Sequence, residues 1–154
     1  MEYEIRKIGS DRIDEALDLV SRVFMEFDAP DYSEDGIRNF QQYIIESEDF
    51  KEKFKTGDQI MKCAFVDDKI VGVIAISARN HISLLFVDIM FHKKGIAKAL
   101  FNSILEEVSQ KGKGKIKLKS SLYAKEFYLK LGFKSIDKEQ YSNGIKYVPM
   151  EFNY

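Results

Sequence analysis

The most constraining stretch of the chain runs from His81 to Leu100, where an apolar run passes through a basic turn into a helix pattern. Ile82 to Val87 is rich in β-formers and reads as a buried strand. Ile96, Leu100, Ile104 and Val108 recur every fourth residue, so a helix here has one apolar face. Between the two lies His92-Lys93-Lys94-Gly95-Ile96-Ala97. A helix N-terminus carries about half a positive charge and up to four unpaired N–H groups. Gly95 has no Cβ and lets a ligand approach the backbone, while Lys93, Lys94 and Lys98 add positive charge. The turn suits a polyanion such as a pyrophosphate, and it equally suits a plain strand-to-helix turn with solvated lysines. The two common glycine-rich phosphate loops, G-x-x-x-x-G-K-S/T and G-x-G-x-x-G, are both missing from it.

The rest of the chain arranges itself around this unit. Tyr3 to Ile8 alternates as a strand, and Ile13, Leu17, Val20 and Phe24 mark a helix from Ser10 or Asp11 to about Phe27. Asp28-Ala29-Pro30 stops it, and Ser33-Glu34-Asp35 starts a second helix through Ile37, Phe40, Tyr43 and Ile44. Asp49 to Thr56 offers a further helical turn. Gln59–Val66 and Ile70–Ile76 read as a hairpin joined at Asp67-Asp68-Lys69, and Gly72 marks a bulge or a close approach. After the central helix come the strand Lys115–Lys119, a helix from Leu122 to Leu131 ended by Gly132, and the strands Phe133–Ile136 and Ile145–Phe152. Ser142-Asn143-Gly144 reads as a loop between these last two. The order β-α-α-β-β-β-α-β-α-β-β predicts an α/β fold of mixed α+β type, with helices on both faces of the sheet. A chain of 154 residues without a repeat or linker is expected to form one domain, residues 1–154.

Composition excludes several classes. No apolar run approaches the ~18 residues of a membrane span, and the charged N-terminus lacks a signal-peptide core. Cys63 is the only cysteine, so a cytoplasmic protein without disulfides is expected. Cys63, His81 and His92 have no ligand-like spacing, and no metal is expected. The lysines of Lys115–Lys119 alternate with Ile116 and Leu118, which marks a solvated strand face rather than a nucleic-acid surface. Charge is unevenly spread: residues 1–58 hold 16 acidic and 8 basic side chains, and the remainder hold 9 and 16.

The central stretch resembles motif A of the GNAT N-acetyltransferase superfamily, a strand followed by Arg/Gln-x-x-Gly-x-Gly/Ala at a helix start. Gly95 and Ala97 match, and His92 stands where Arg or Gln is usual. Ser121 to Phe133 resembles the family's motif B, with Ala124, Phe127, Tyr128, Leu131, Gly132 and Phe133 on the pattern. The resemblance implies a GNAT-like fold and transfer of an acetyl group from acetyl-coenzyme A to a primary amine, small or peptidyl, without a metal. It admits a homodimer, and neither nucleic acid nor membrane is an expected partner.

By that resemblance the cofactor residues are Phe86, Val87, His92, Lys93, Lys94, Gly95, Ile96, Ala97, Lys98, Ser121 and Tyr128. The turn would hold pyrophosphate on its N–H groups. Pantetheine would pair with the backbone of Phe86 and Val87 as an added strand, and an N–H there would serve the oxyanion. Tyr128 is the candidate general acid, since a phenol of pKa ~10 can return a proton to a thiolate. Glu26 is the candidate base, with Asp28 near it, although a solvated helix end accounts for both. The family builds its acceptor site from the first two helices, here the acidic part of the chain with Glu26, Asp28, Asp31, Glu34 and Asp35, so a cationic acceptor is expected. The alternative is a non-catalytic acyl-coenzyme A sensing module, which would need the turn but no acid.

Overall fold

The computed structural model describes residues 2–154. Its first half comprises β1 (Glu4–Lys7), α1 (Ile13–Val23), α2 (Glu34–Phe40), α3 (Glu48–Thr56), β2 (Gln59–Val66), β3 (Lys69–Ser77) and β4 (Ile82–Val87). Its second half comprises α4 (Ile96–Ser109), β5 (Lys115–Ser120), α5 (Lys125–Leu131), β6 (Lys134–Ser135), β7 (Gln140–Ser142) and β8 (Ile145–Asn153).

Strand alternation sets the layers. Met61, Cys63 and Phe65 of β2 point to one face, where they pack with Ile13, Leu17 and Val20 of α1 and Phe50 of α3. Ala64 of β2 and Ile74 of β3 point to the other face, under Ile96, Leu100 and Ile104 of α4. The predicted helices on both faces are therefore present. Strand order in this half is β1-β2-β3-β4, all antiparallel. The second half follows the order β5-β8-β6, with β7 also on β8, again antiparallel. A single parallel bridge, His81 to Lys117, joins the halves at the start of β4. Beyond it β4 and β5 part.

The elements depart from the sequence expectation in four places. Glu48–Thr56 is a full helix, capped by the Ser47 hydroxyl accepting the Phe50 N–H at 3.0 Å. Ser142-Asn143-Gly144 is not a plain loop. Asn143 and Gly144 take left-handed φ of 54° and 80°, and the resulting hairpin adds β7 as a further strand. Ser10 and Asp11 lie in a 3-10 turn, Ser10–Arg12, and give α1 no side-chain cap. Finally, α5 begins at Lys125 rather than Leu122, because Ser121 Oγ accepts the Ala124 N–H at 3.1 Å in a separate turn.

Two helices end in the same unusual way. α1 runs on as a π turn, Phe24–Asp28, and α2 as a π turn, Gln41–Ile45. Single π turns widen the helix, and they occur often at functional sites. Pro30 then prevents further extension of α1. α2 starts at Ser33 as predicted, its hydroxyl accepting the Gly36 N–H at 3.1 Å. Its start is fixed to the β7–β8 hairpin by the Ser33 N–H, which donates to the Gly144 carbonyl at 3.0 Å.

Gly72 is both a bulge and a close approach. The β2–β3 register slips beside it, between Ala64 and Phe65. A Cβ on Gly72 would lie 3.0 Å from Leu100 and 3.1 Å from Ile96, so α4 rests directly on its backbone. Gly72→Val is expected to destabilise the fold by about 1–3 kcal/mol through overpacking. Urea unfolding checks this, with a lowered midpoint at unchanged slope as the expected result.

Candidate active site

The parting of β4 and β5 opens a cleft of about 560 Å³. Its floor comes from β4, one wall from the turn before α4 and the other from Ser121 to Tyr128. The ends of α1 and α2 cover the top through Phe27, Asp28, Tyr32 and Phe40.

The register of β4 decides which peptide groups face the cleft. The Asp88 N–H donates to Val71 of β3 at 2.9 Å, so alternate residues, Phe86 included, direct their backbone into the β3 ladder. Leu85 and Val87 present theirs to the cleft. The expected backbone pairing with Phe86 is therefore corrected to Leu85, and Phe86 contributes its side chain instead. The Val87 carbonyl is already engaged, because His92 Nε2 donates to it at 2.6 Å. A carbonyl only accepts, so that ring nitrogen carries the proton.

The turn itself is strained in a useful way. Lys93 and Gly95 both hold left-handed backbone, with φ of 61° and 80°. Such alternation turns successive N–H groups toward one concave surface. Nothing lies within 4 Å of where a Gly95 Cβ would be, which leaves open space against the backbone. The Ala99 N–H is the one that returns to Gly95 O, at 3.0 Å, so the preceding first-turn N–H groups of α4 have no intrahelical partner. Asp88 sets the approach to this turn. Its carboxylate accepts the Met90 N–H at 3.0 Å and pairs with Arg22 at 3.3 Å.

Ten of the residues nominated from sequence line the cleft: Phe86, Val87, His92, Lys93, Gly95, Ile96, Ala97, Lys98, Ser121 and Tyr128. Lys94 is exposed and lies outside the lining. Glu26 is also exposed and outside it, and the carboxylate that faces the cleft is Asp28. The signal for Asp28 was present: the buried stripe Val20 and Phe24 continues in helical steps to Phe27 and Asp28, whereas Glu26 falls off it. The broader acidic cluster does not form a cleft wall. Asp31, Glu34 and Asp35 are exposed; Glu34 and Asp35 occupy the first turn of α2, where the helix dipole favours them, and Asp35 pairs with Arg38.

Burial raises the Asp28 carboxyl to about 6; a polar contact from Ser121 opposes the shift, and the charge of Asp31 adds to it. Burial, then the nearby Asp28 charge, pushes Tyr32 up to about 12 and Tyr128 well above the usual tyrosine range. Tyr128 is thus a neutral phenol throughout the working pH range, only 7% exposed and at the cleft wall. Among the described residues no three His, Cys, Asp or Glu side chains group as metal ligands would, and no helix is long and apolar enough to cross a membrane.

A sequence profile of the acetyltransferase (GNAT) domain matches residues 28–154. No curated protein matches the chain significantly. Solved structures do match in fold. A GCN5-related N-acetyltransferase from Rhodopseudomonas palustris superposes with a TM-score of 0.85 at 17% identity, covering 100% of this chain and 97% of that one. PaiA N-acetyltransferase from Thermoplasma acidophilum, in complex with coenzyme A, gives 0.80 at 22% identity and covers both chains fully, 100% each. An aminoglycoside 6′-N-acetyltransferase complexed with coenzyme A gives 0.66 at 18%, covering 97% of this chain and 96% of its own. At such identities these likenesses establish the fold.

The raised Asp28 carboxyl has a consequence for stability. Its folded value lies above the unfolded one, so its contribution is fully present below about 3.8 and is lost as pH rises through about 6. Asp28→Asn is therefore expected to stabilise the fold by about 1–3 kcal/mol at pH 8 and to change little near pH 4. Urea unfolding of the pair at both pH values tests the sign.

Proposed function

Because the chain belongs to the GNAT acetyltransferase family, we propose that it acts as a single catalytic domain, residues 1–154, moving an acetyl group from acetyl-coenzyme A to a primary amine by direct attack. The observation that carries this reading is the pairing, in one cleft, of an open left-handed Gly95 turn with the buried Tyr128 phenol. The coenzyme A complexes among its structural neighbours support the same cosubstrate.

The residues fit the cosubstrate in kind. N–H groups at the Lys93–Lys98 turn, with Lys93 and Lys98 beside them, would hold the pyrophosphate. The free edge of β4 at Leu85 and Val87 would take the pantetheine amides as an added strand. When bound, acetyl-coenzyme A supplies an activated acetyl carbon and a thiolate leaving group.

The chain's own groups handle the protons. Asp28, ionised above about 6, takes a proton from the acceptor ammonium and frees the nitrogen lone pair. As the C–N bond forms and the C–S bond breaks, Tyr128 donates its phenolic proton to the departing sulfur. Solvent then takes the second proton that the nitrogen sheds in becoming an amide, returns one to Tyr128 and removes the one on Asp28, which closes the cycle. A module that only sensed acyl-coenzyme A would use the turn but would need neither Tyr128 nor Asp28 in the cleft.

Two outcomes follow. Tyr128→Phe is expected to lower kcat by about ten- to a thousandfold with little change in coenzyme A affinity, as loss of a general acid should. Unchanged turnover at a saturating acceptor would reduce Tyr128 to packing. Gly95→Val, which forces a branched residue into left-handed backbone beside open space, is expected to weaken coenzyme A binding at least about tenfold by calorimetry. A folded variant that binds as wild type would place the phosphates elsewhere.

A further inference from the structure

The top of the cleft differs in character from its basic end. Val23, Phe27, Tyr32, Phe40 and Phe86 present apolar and aromatic surface, and Asp28 is the one carboxylate in the cleft lining. The aromatic planes are held from behind. Phe24, only 2% exposed, stacks on Phe40 with centroids 3.9 Å apart and meets Tyr32 edge-on at 4.9 Å. Phe40 in turn leans on Phe86 at 6.4 Å. Walls fixed in this way make a preformed slot rather than a surface that adapts to its occupant.

Charge narrows the occupant further. Asp28 lines the same cleft as Tyr32 and Tyr128, and its charge reaches both. An ammonium drawn to it is delivered beside Tyr128, with the body of the molecule left among the rings. The other ionised lining residues, Lys93, Lys98 and Lys119, are positive. A second ammonium entering the cleft would meet apolar surface and lysines, with no second carboxylate in the lining to offset its desolvation, since Asp31 is exposed outside it. A small hydrophilic amine would leave the aromatic surface poorly covered and forgo its burial.

We propose, resting on the acetyl-transfer reading above, that this slot selects a primary amine with a single positive charge on a flat apolar body, an arylalkylamine, in preference to polyamines and small hydrophilic amines. This narrows the cationic acceptor expected from the acidic first part of the sequence to one that carries a single charge. Those carboxylates, Asp28 excepted, lie outside the cleft.

The test uses protein saturated with coenzyme A and calorimetric titration of 2-phenylethylamine, hexylamine, ethanolamine and spermidine, alongside thiol release from acetyl-coenzyme A with the same four. The proposal expects 2-phenylethylamine to bind at least about tenfold more tightly than ethanolamine or spermidine. Asp28→Asn should weaken that binding about tenfold, because a charge-assisted contact is lost. Phe40→Leu, which keeps apolar volume but removes the flat face, should erase the preference for phenylethyl over hexyl. Equal or tighter binding of spermidine or ethanolamine overturns the proposal, as does a failure of all four to bind. Tight 2-phenylethylamine binding without thiol release for any amine supports the slot and instead overturns the transfer reaction.

Discussion

The cleft exists because β4 and β5 pair once, at His81 and Lys117, and then separate. Continued pairing would have consumed the backbone of Leu85 and Val87 in a closed sheet. Parting leaves those peptide groups without a strand partner, and buried N–H and C=O groups require one. The chain answers only in part: His92 donates to the Val87 carbonyl and thereby also anchors the turn that follows. What remains open on the β4 edge is available to an extended, amide-bearing ligand. A polar edge, a basic turn and a neutral phenol all become accessible through that one divergence.

The sequence carried the architecture well because its signals were periodic. The four-residue repeat of α4, the strand runs of β2 to β4 and the Ser33 cap all follow from local preference that the tertiary fold does not overrule. It carried the Gly95 turn through residue type, since a left-handed position beside open space is where glycine is wanted. It carried side-chain direction less well. Glu26 and Asp28 are two residues apart and chemically alike, and only the helical phase continued from Phe24 distinguishes the one facing the cleft. The β7 strand was hidden because Asn143-Gly144 reads equally as a loop and as a tight turn; pairing with β8 decides it. The alternation of peptide direction along β4, which removes Phe86 from the cleft edge, depends on register with β3 and is invisible in one strand alone.

The site also holds features that cost stability. Lys93 holds left-handed backbone without being glycine, α1 ends in a π turn rather than a capped helix, and Asp28 keeps a carboxylate where burial disfavours its charge. Each is of a kind that persists when surrounding structure overdetermines it. The surroundings here are suitably firm: Phe24 is buried behind the π turn, and Asp88 ties the end of β4 both to Arg22 of α1 and to the Met90 N–H. The cores on either face of the sheet remain apolar and buried.

These features divide the cleft into two electrostatic halves, and Tyr128 lines the same cleft. One half offers N–H groups, a helix N-terminus and lysines, an environment that favours negative charge. The other offers a single carboxylate among rings and stabilises one positive charge. A shared low-dielectric space makes each half more selective, since a ligand of the wrong sign forfeits solvation and gains repulsion. In the proposed reaction Tyr128 can act only while neutral: an ionised phenolate would be repelled by Asp28 and could donate nothing to a leaving sulfur. The burial and the Asp28 charge that raise its pKa keep it in the form that the proposed reaction requires, so the carboxylate proposed to attract the amine also favours the proton on Tyr128.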